Sequence, residues 1–257
     1  MSYGLQISAS GVAAAMYRQD VLANNLANIN TVAFKPDIPS SRPRQDVRHE
    51  DGVFNLPSNE LLERLGGGVL MNPNRINLSP GALRPTGNPL NIAIQSNGFL
   101  KLRNGDSSKT ATLSRDGRLA VNTKGELVLS SSGMPVLDDS ERPIVVAPGL
   151  PIKIDGNGTI SQDGKPIASL GLVSVSNPEQ LTKAGDGLMK APAATVNQMP
   201  PEARNFQQNS LEDSGVNEIQ AIMDMTSASS EVAAHVSLMQ AHDKMMEKAI
   251  NSIGRPI

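Results

Sequence analysis

Apolar side chains recur at alternating steps of three and four along the C-terminal stretch of this chain. The positions are Ile222, Met225, Ser229, Val232, Val236, Met239, Asp243, Met246, Ile250 and Ile253. A period of 3.5 is the narrow stripe by which one long helix lies along another. Asp213 or Ser214 can cap the start, and acidic Glu218 suits the first turn. Lys244 and Lys248 lie toward the end, Gly254 follows, and Pro256 forbids continuation. A helix over Val216 to Ile253 is a rod of roughly 57 Å. So long a helix with so thin a stripe needs a partner, in this chain or in another.

Residues 5–30 are the second long helical stretch. Leu5, Ala9, Val12, Met16, Gln19, Ala23 and Leu26 form one heptad stripe. Ala15, Gln19, Leu22, Leu26, Ile29 and Ala33 form another beside it, so this helix is expected to be sheltered on more than one side. Pro36, Pro39 and Pro43 end it and keep the following chain extended. Residues 36–85 read as an extended connector, broken by the apolar piece Leu61, Leu62 and Leu65. Gly66-Gly67-Gly68 is a hinge or close contact rather than a phosphate loop, since no Lys-Ser/Thr follows it.

From Leu90 the period becomes two. Strands are expected at Leu90–Gln95, Phe99–Arg103, Thr110–Ser114, Arg118–Asn122, Glu126–Leu129, Pro135–Leu137, Ile144–Ala147, Ile152–Asp155, Gly158–Ser161 and Ala168–Ser176. Asn97-Gly98, Asn104-Gly105, Asp116-Gly117 and Asn157-Gly158 are among the hairpin signals between them. The expected division is a helix over 1–35, a connector over 36–85, an antiparallel β domain over 86–190, a return connector over 191–212 and a helix over 213–257. The class is α+β, with the two terminal helices paired in a coiled-coil-like core.

The composition narrows the function. There is no Trp, and two Tyr and four Phe leave little for stacking on sugars or bases. A net charge of −2 gives no field for nucleic acid. The absence of cysteine excludes disulfides, thiol catalysis and Cys-ligated zinc. No stretch reads as a membrane-spanning helix or a secretory signal peptide.

No catalytic arrangement emerges. His235 and His242 are seven apart rather than the four that metal ligation on a helix prefers. Asp155-Gly156-Asn157-Gly158 lacks the distal Glu of a calcium loop and reads as a turn. Asp138-Asp139 and Glu212-Asp213 are sequence neighbours, which reads as solvated turn or cap rather than an acid and a base across a cleft. No cofactor, metal, small-molecule substrate, nucleic acid or membrane insertion is expected.

Asp20–Lys35, DVLANNLANINTVAFK, resembles the N-terminal signature of the bacterial flagellar rod and hook axial proteins, approximately D-V-x-A-N-N-L-A-N-x-x-T-x-G-F-K. Its matching positions include Ala23, Asn24, Asn25, Leu26, Ala27, Asn28 and Phe34. Thr86–Leu102, TGNPLNIAIQSNGFLKL, and Ser210–Met225, SLEDSGVNEIQAIMDM, are similar to two further family stretches in the same order. Ala33 stands where the signature has Gly, so the turn after the first helix is expected to differ. Within the family, LSRDGRLAVNTKGELVLSSSGMPVLDD looks most like the proximal rod type, with the distal rod type as the near alternative.

The resemblance implies a structural axial component of the flagellar basal-body rod in the periplasmic space, exported by the flagellar apparatus without a cleaved signal. It implies as partners copies of the chain and other rod and hook axial proteins. The expected subunit interface is Leu5, Val12, Met16, Leu22, Leu26 and Ile29 from the first helix. Ile222, Met225, Val232, Val236, Met239, Met246, Ile250 and Ile253 supply the second. A coiled-coil and β adhesin without a flagellar role is the alternative from another class.

Overall fold

A computed structural model describes residues 2–45, 67–103, 105 and 109–253. The expected apolar piece Leu61, Leu62 and Leu65, the first glycine Gly66 of the glycine run, and the stop signals Gly254 and Pro256 lie outside the described residues. The chain divides into two compact units. One is 1–27, 37–75 and 218–257; the other is 28–36 and 76–217.

The first unit holds both long helices. α1 is Ser2–Ala27 and α2 is Glu218–Ile253. α1 is rich in Ala and Leu, and α2 in Ala, Met and Glu, all strong helix formers. α2 contains no Gly or Pro, so nothing interrupts its length of about 54 Å. Three of its hydroxyl residues turn inward on their own helix: Thr226, Ser230 and Ser237 each donate to the carbonyl four residues back. Strands Asp37–Pro43 and Val69–Ile76, within the stretch expected as connector, pair as a two-stranded ribbon.

The second unit is antiparallel β structure, as the alternating pattern predicts. Its largest sheet has six strands in the order Thr182–Gly185, Leu188–Pro192, Thr110–Ser114, Phe99–Leu102, Leu172–Val175 and Val196–Gln198. Successive side chains of a strand point to opposite faces. Leu100, Leu102, Leu172 and Leu188 therefore enter one cluster, with Ile92, Leu127, Leu129, Ile144 and Ile160. Phe99, Leu113, Val173, Met189 and Ala191 enter another. Both faces of this sheet are covered, which accounts for successive residues being buried along Phe99–Leu102 and Thr110–Ser114.

The expected strand Ala168–Ser176 divides into the ends of Lys165–Ser169 and Leu172–Val175. The return connector also carries strands. Phe206–Gln208 pairs with Ile92–Ile94, and Ser210–Glu212 pairs with Leu83–Pro85. Thus the last strand before α2 is built into the β unit.

Candidate subunit interface

α1 is held on two sides. Toward the ribbon, the bonds recur every seven or eight residues, two helical turns, and so lie along one face. Val69 N donates to Ser10 Oγ (3.2 Å), Tyr17 Oη donates to Asn74 Oδ1 (3.0 Å), and Asn25 exchanges two bonds with the Asp37 backbone (2.8 and 2.9 Å). Asn25 is one of the signature residues, and it closes the chain reversal between α1 and the ribbon.

Toward α2, Gln19 Nε2 donates to Ser229 Oγ (3.1 Å) and Arg18 pairs with Glu231 (3.3 Å). Both ion-pair partners are solvated, so that pair is worth about 0.2–1 kcal/mol at most. His235 and His242 lie against Gly11 and Gly4: a methyl at Gly11 would stand 2.9 Å from the His235 ring, and one at Gly4 3.3 Å from the His242 ring. Partner numbers rise on one helix as they fall on the other, so α1 and α2 run antiparallel. A methyl at Gly11 would force the His235 ring to shift, and one at Gly4 would crowd the His242 ring.

This sets the phase of α2. Its sheltered line is Ala221, Met225, Ala228, Val232, His235, Met239, His242, Met246 and Ala249, with Ala228 wholly buried. Met225, Val232, Met239 and Met246 belong to the expected interface and are half-buried. Ile222, Val236 and Ile250 stand one position off the line and are 50%, 38% and 66% exposed. The side chain of Ile253 lies outside the described residues. On α1, Leu22 is buried, Leu5, Val12 and Leu26 are half-buried, and Met16 is 52% exposed. Ile29 lies just after α1 and is half-buried. Of the other signature residues, Ala23, Asn28 and Phe34 are half-buried, whereas Asn24 and Ala27 are exposed.

The β unit contains a charged centre that sequence reading missed. Lys35, Arg115 and Glu212 are all buried. Lys35 Nζ donates to Glu212 Oε1 (2.6 Å) and to the Ser79 carbonyl (2.7 Å). Arg115 Nε donates to Glu212 Oε2 (3.0 Å). The rest of its guanidinium is spread over the carbonyls of Ile94, Ser96 and Gly98. Gly81 N supplies a further donor to Glu212 (2.8 Å). One carboxylate thus holds two buried cations. Glu212 is no solvated turn or cap, contrary to the sequence reading; its neighbour Asp213 forms the exposed pair, with Arg84.

The three stretches that carry the family resemblance converge here. Lys35 ends the first, Ile94 to Gly98 lie in the second, and Glu212 lies in the third. Ala33 N donates to Glu212 O and Gly215 N to Phe34 O, both at 2.8 Å, tying the segment after α1 to the segment before α2. Ala33 has φ +53°. The backbone therefore keeps the left-handed conformation that the family's Gly would adopt freely. That costs an alanine about 1–2 kcal/mol. Burial of its methyl beside Val32 and Leu211 returns about 0.8 kcal/mol.

Burial lowers the Lys35 pKa below its ordinary 10.5, and the hydrogen bond to Glu212 only partly opposes this. The folded unit then releases this proton before the unfolded chain does. Between the two pKa values the unfolded state binds more protons, so stability rises with pH there. Wild-type unfolding free energy is expected to climb toward pH 10.5 relative to Lys35→Met, measured by urea titration across the alkaline range. Parallel curves would overturn this assignment.

Residues 5–35 match the family described as flagella basal body rod protein. The chain is similar to flagellar basal-body rod protein FlgF of Mesorhizobium japonicum, at 27% identity over 99% of both chains. It is likewise similar to FlgF of Rhizobium meliloti, at 29% identity over 99% of both. Flagellar basal-body rod protein FlgG of Buchnera aphidicola is 25% identical over 95% of this chain and 97% of its own. Together with the fold, these matches make the chain a structural component of the flagellar axial class and not an enzyme. Within that class the matches support a flagellar basal-body rod protein of the proximal type.

Proposed function

We propose that the chain builds its part of the rod through α1 and α2, whose outer faces bind neighbouring copies and other axial proteins. The observation that carries this reading is the apolar surface left on α2. Ile219, Ile222, Met223, Val236, Leu238, Met245 and Ile250 are exposed although the helix already rests on α1. Exposed apolar patches of this kind mark interaction surfaces. The antiparallel heptad contact of α1 with α2 forms a coiled-coil pair within each subunit, and the outer faces close on others around the rod axis. A chain made this way transmits torque as a stiff segment of a tube in the periplasmic space, after export without a cleaved signal.

Val236→Asp tests the reading because the residue stands off the sheltered line. A charge there is tolerated in the separate chain and opposed at an interface, where losing a central apolar contact costs about 2 kcal/mol or more. The variant is expected to keep its helicity and its β unit, by circular dichroism and hydrogen exchange, and to be missing from purified basal bodies. Normal incorporation and motility would overturn the proposal.

A further inference from the structure

The chain contains methionine and no cysteine, so all of its sulfur is thioether. The exposure of these side chains divides with the two units. In the β unit Met189 is buried, and Met134 and Met199 are half-buried. The exposed methionines among the described residues are Met16 on α1, Met71 on the ribbon, and Met223 and Met245 on α2. All four belong to the unit that holds the helices.

Met223 and Met245 stand clear of the α1 contact. Met223 lies two positions from both Ala221 and Met225 of the sheltered line, and a two-residue step turns a helix through about 200°. Met245 shares the flank of that line with Leu238, seven residues before it. The two are 60% and 57% exposed, against the half-burial of Met225, Met239 and Met246. Ile219, Ile222 and Leu238 are exposed near them, so both thioethers belong to the apolar outer surface of α2.

A thioether suits a surface that meets more than one partner, because it is flexible and polarizable. It is also an apolar group that a mild oxidant makes polar. The sulfur lone pair attacks one oxygen of hydrogen peroxide, and the O–O bond breaks as the S–O bond forms. The departing oxygen takes up the proton of the transferred one and leaves as water. Sulfur loses two electrons and the peroxide gains them. The sulfoxide oxygen is an acceptor, and burying it against apolar side chains leaves it without a donor.

We infer that Met223 and Met245 form a modification site, at which oxidation by peroxide to the sulfoxide prevents a chain from joining the rod. A methionine sulfoxide reductase reverses the step: two thiols are oxidised to a disulfide, and the oxygen leaves as water. The chain has no thiol of its own, so the reductant comes from outside it. Both sulfurs are covered once the outer faces close on neighbours, which confines the switch to unassembled chain. This rests on the proposal that the chain assembles through its helices, and it adds a chemical control on the same surface.

The full-length chain, treated with dilute hydrogen peroxide and mapped by peptide mass spectrometry, is expected to gain oxygen first at Met16, Met71, Met223 and Met245. Met189 is expected to react about tenfold more slowly. Equal rates at Met189, Met223 and Met245 would overturn the site. In flagellated cells whose own copy is removed, Met223→Gln with Met245→Gln puts a polar side chain of similar length where the sulfoxide would stand. Gln is a good helix former, so helicity by circular dichroism is expected to hold. The content of this variant in purified basal bodies is expected to fall about tenfold.

Met223→Leu with Met245→Leu is expected to assemble normally, and to go on doing so in sublethal peroxide that lowers incorporation of the unsubstituted chain. An unsubstituted chain that peroxide leaves unaffected, or a Leu variant that is equally sensitive, would overturn the inference. Normal incorporation of the Gln variant, where Val236→Asp is excluded, would overturn it too and leave assembly through the helices standing. Normal incorporation of Val236→Asp would instead overturn the underlying reading.

Discussion

Glu212→Gln is expected to destabilise the β unit by about 3–5 kcal/mol, the range for breaking a buried ion pair from one side. The substitution keeps the shape and one acceptor oxygen but removes the charge. Lys35 and Arg115 then remain buried with no anion between them. The amide that replaces Oε1 or Oε2 also presents donors where the wild type has only donors to receive. Hydrogen exchange at Ile92–Ile94 and Ser210–Glu212 is the suitable measurement. Tyrosine emission would miss the change, because there is no Trp and both tyrosines precede residue 18. Lys35→Met combined with Glu212→Gln is expected to recover part of the loss by removing one of the two cations. A single-variant loss below about 1 kcal/mol would show that the carbonyls alone hold both charges.

The asymmetry among the three residues is a physical one. Lys35 has two acceptors, and its burial already opposes its charge. Arg115 has four, three of them backbone carbonyls of the segment Ile94–Gly98. Glu212 is the only partner the two cations share. Buried ion pairs are often no better than apolar replacements. What this one adds is position: its three residues come from segments that are distant in sequence and adjacent at the point where the chain leaves for each helix.

Much of the architecture was legible because it is local. The strand Thr110–Ser114 has the expected ends, and Phe99–Leu102 and Ile152–Ile154 each fall one residue short. Both long helices follow from apolar spacing. The phase of α2 was not legible, because a seam sought through apolar residues gives weight to Ile222, Val236 and Ile250 and none to Ala221, Ala228, His235 and His242. Those residues become seam positions only because Gly4 and Gly11 lie opposite, and that is a pair property of two helices far apart in sequence. Glu212 was misread for the same reason: its partners Lys35 and Arg115 are 177 and 97 residues away. The one available signal was that Lys35 and Glu212 each sit in a stretch that resembles the family.

Asp116-Gly117 teaches the reverse lesson and sets the second large effect. The pair reads as a hairpin turn, yet Gly117 is not among the residues with positive φ. Its requirement is space. A methyl added there would lie 1.6 Å from the Ile92 carbonyl oxygen and 2.7 Å from its carbon. Neither side can retreat cheaply. Ile92 is fully buried and its N donates to Gly117 O (3.0 Å). On the other side Asp116 is pinned by its own N donating to Ser114 Oγ (3.0 Å) and by Arg118, whose Nη2 donates to Asp116 Oδ2 (2.7 Å).

Overpacking commonly costs about 1–3 kcal/mol, and backbone against backbone falls at or above the top of that range. Gly117→Ala is therefore expected to cost about 3 kcal/mol or more, read as faster hydrogen exchange at Ile92–Ile94 and a lower urea midpoint. Because Arg115 is two residues away and bonds to the Ile94 carbonyl, the loss is expected to add less than fully to that of Glu212→Gln. Full additivity would mean that the clash relaxes away from the charged centre. With that layer loosened, the ties between Ala33 and Glu212 and between Phe34 and Gly215 have less to hold them. Gly117→Ala should then lower incorporation into basal bodies without touching a helix residue, which separates the role of the β unit in gathering the two chain ends from the role of the helices in binding.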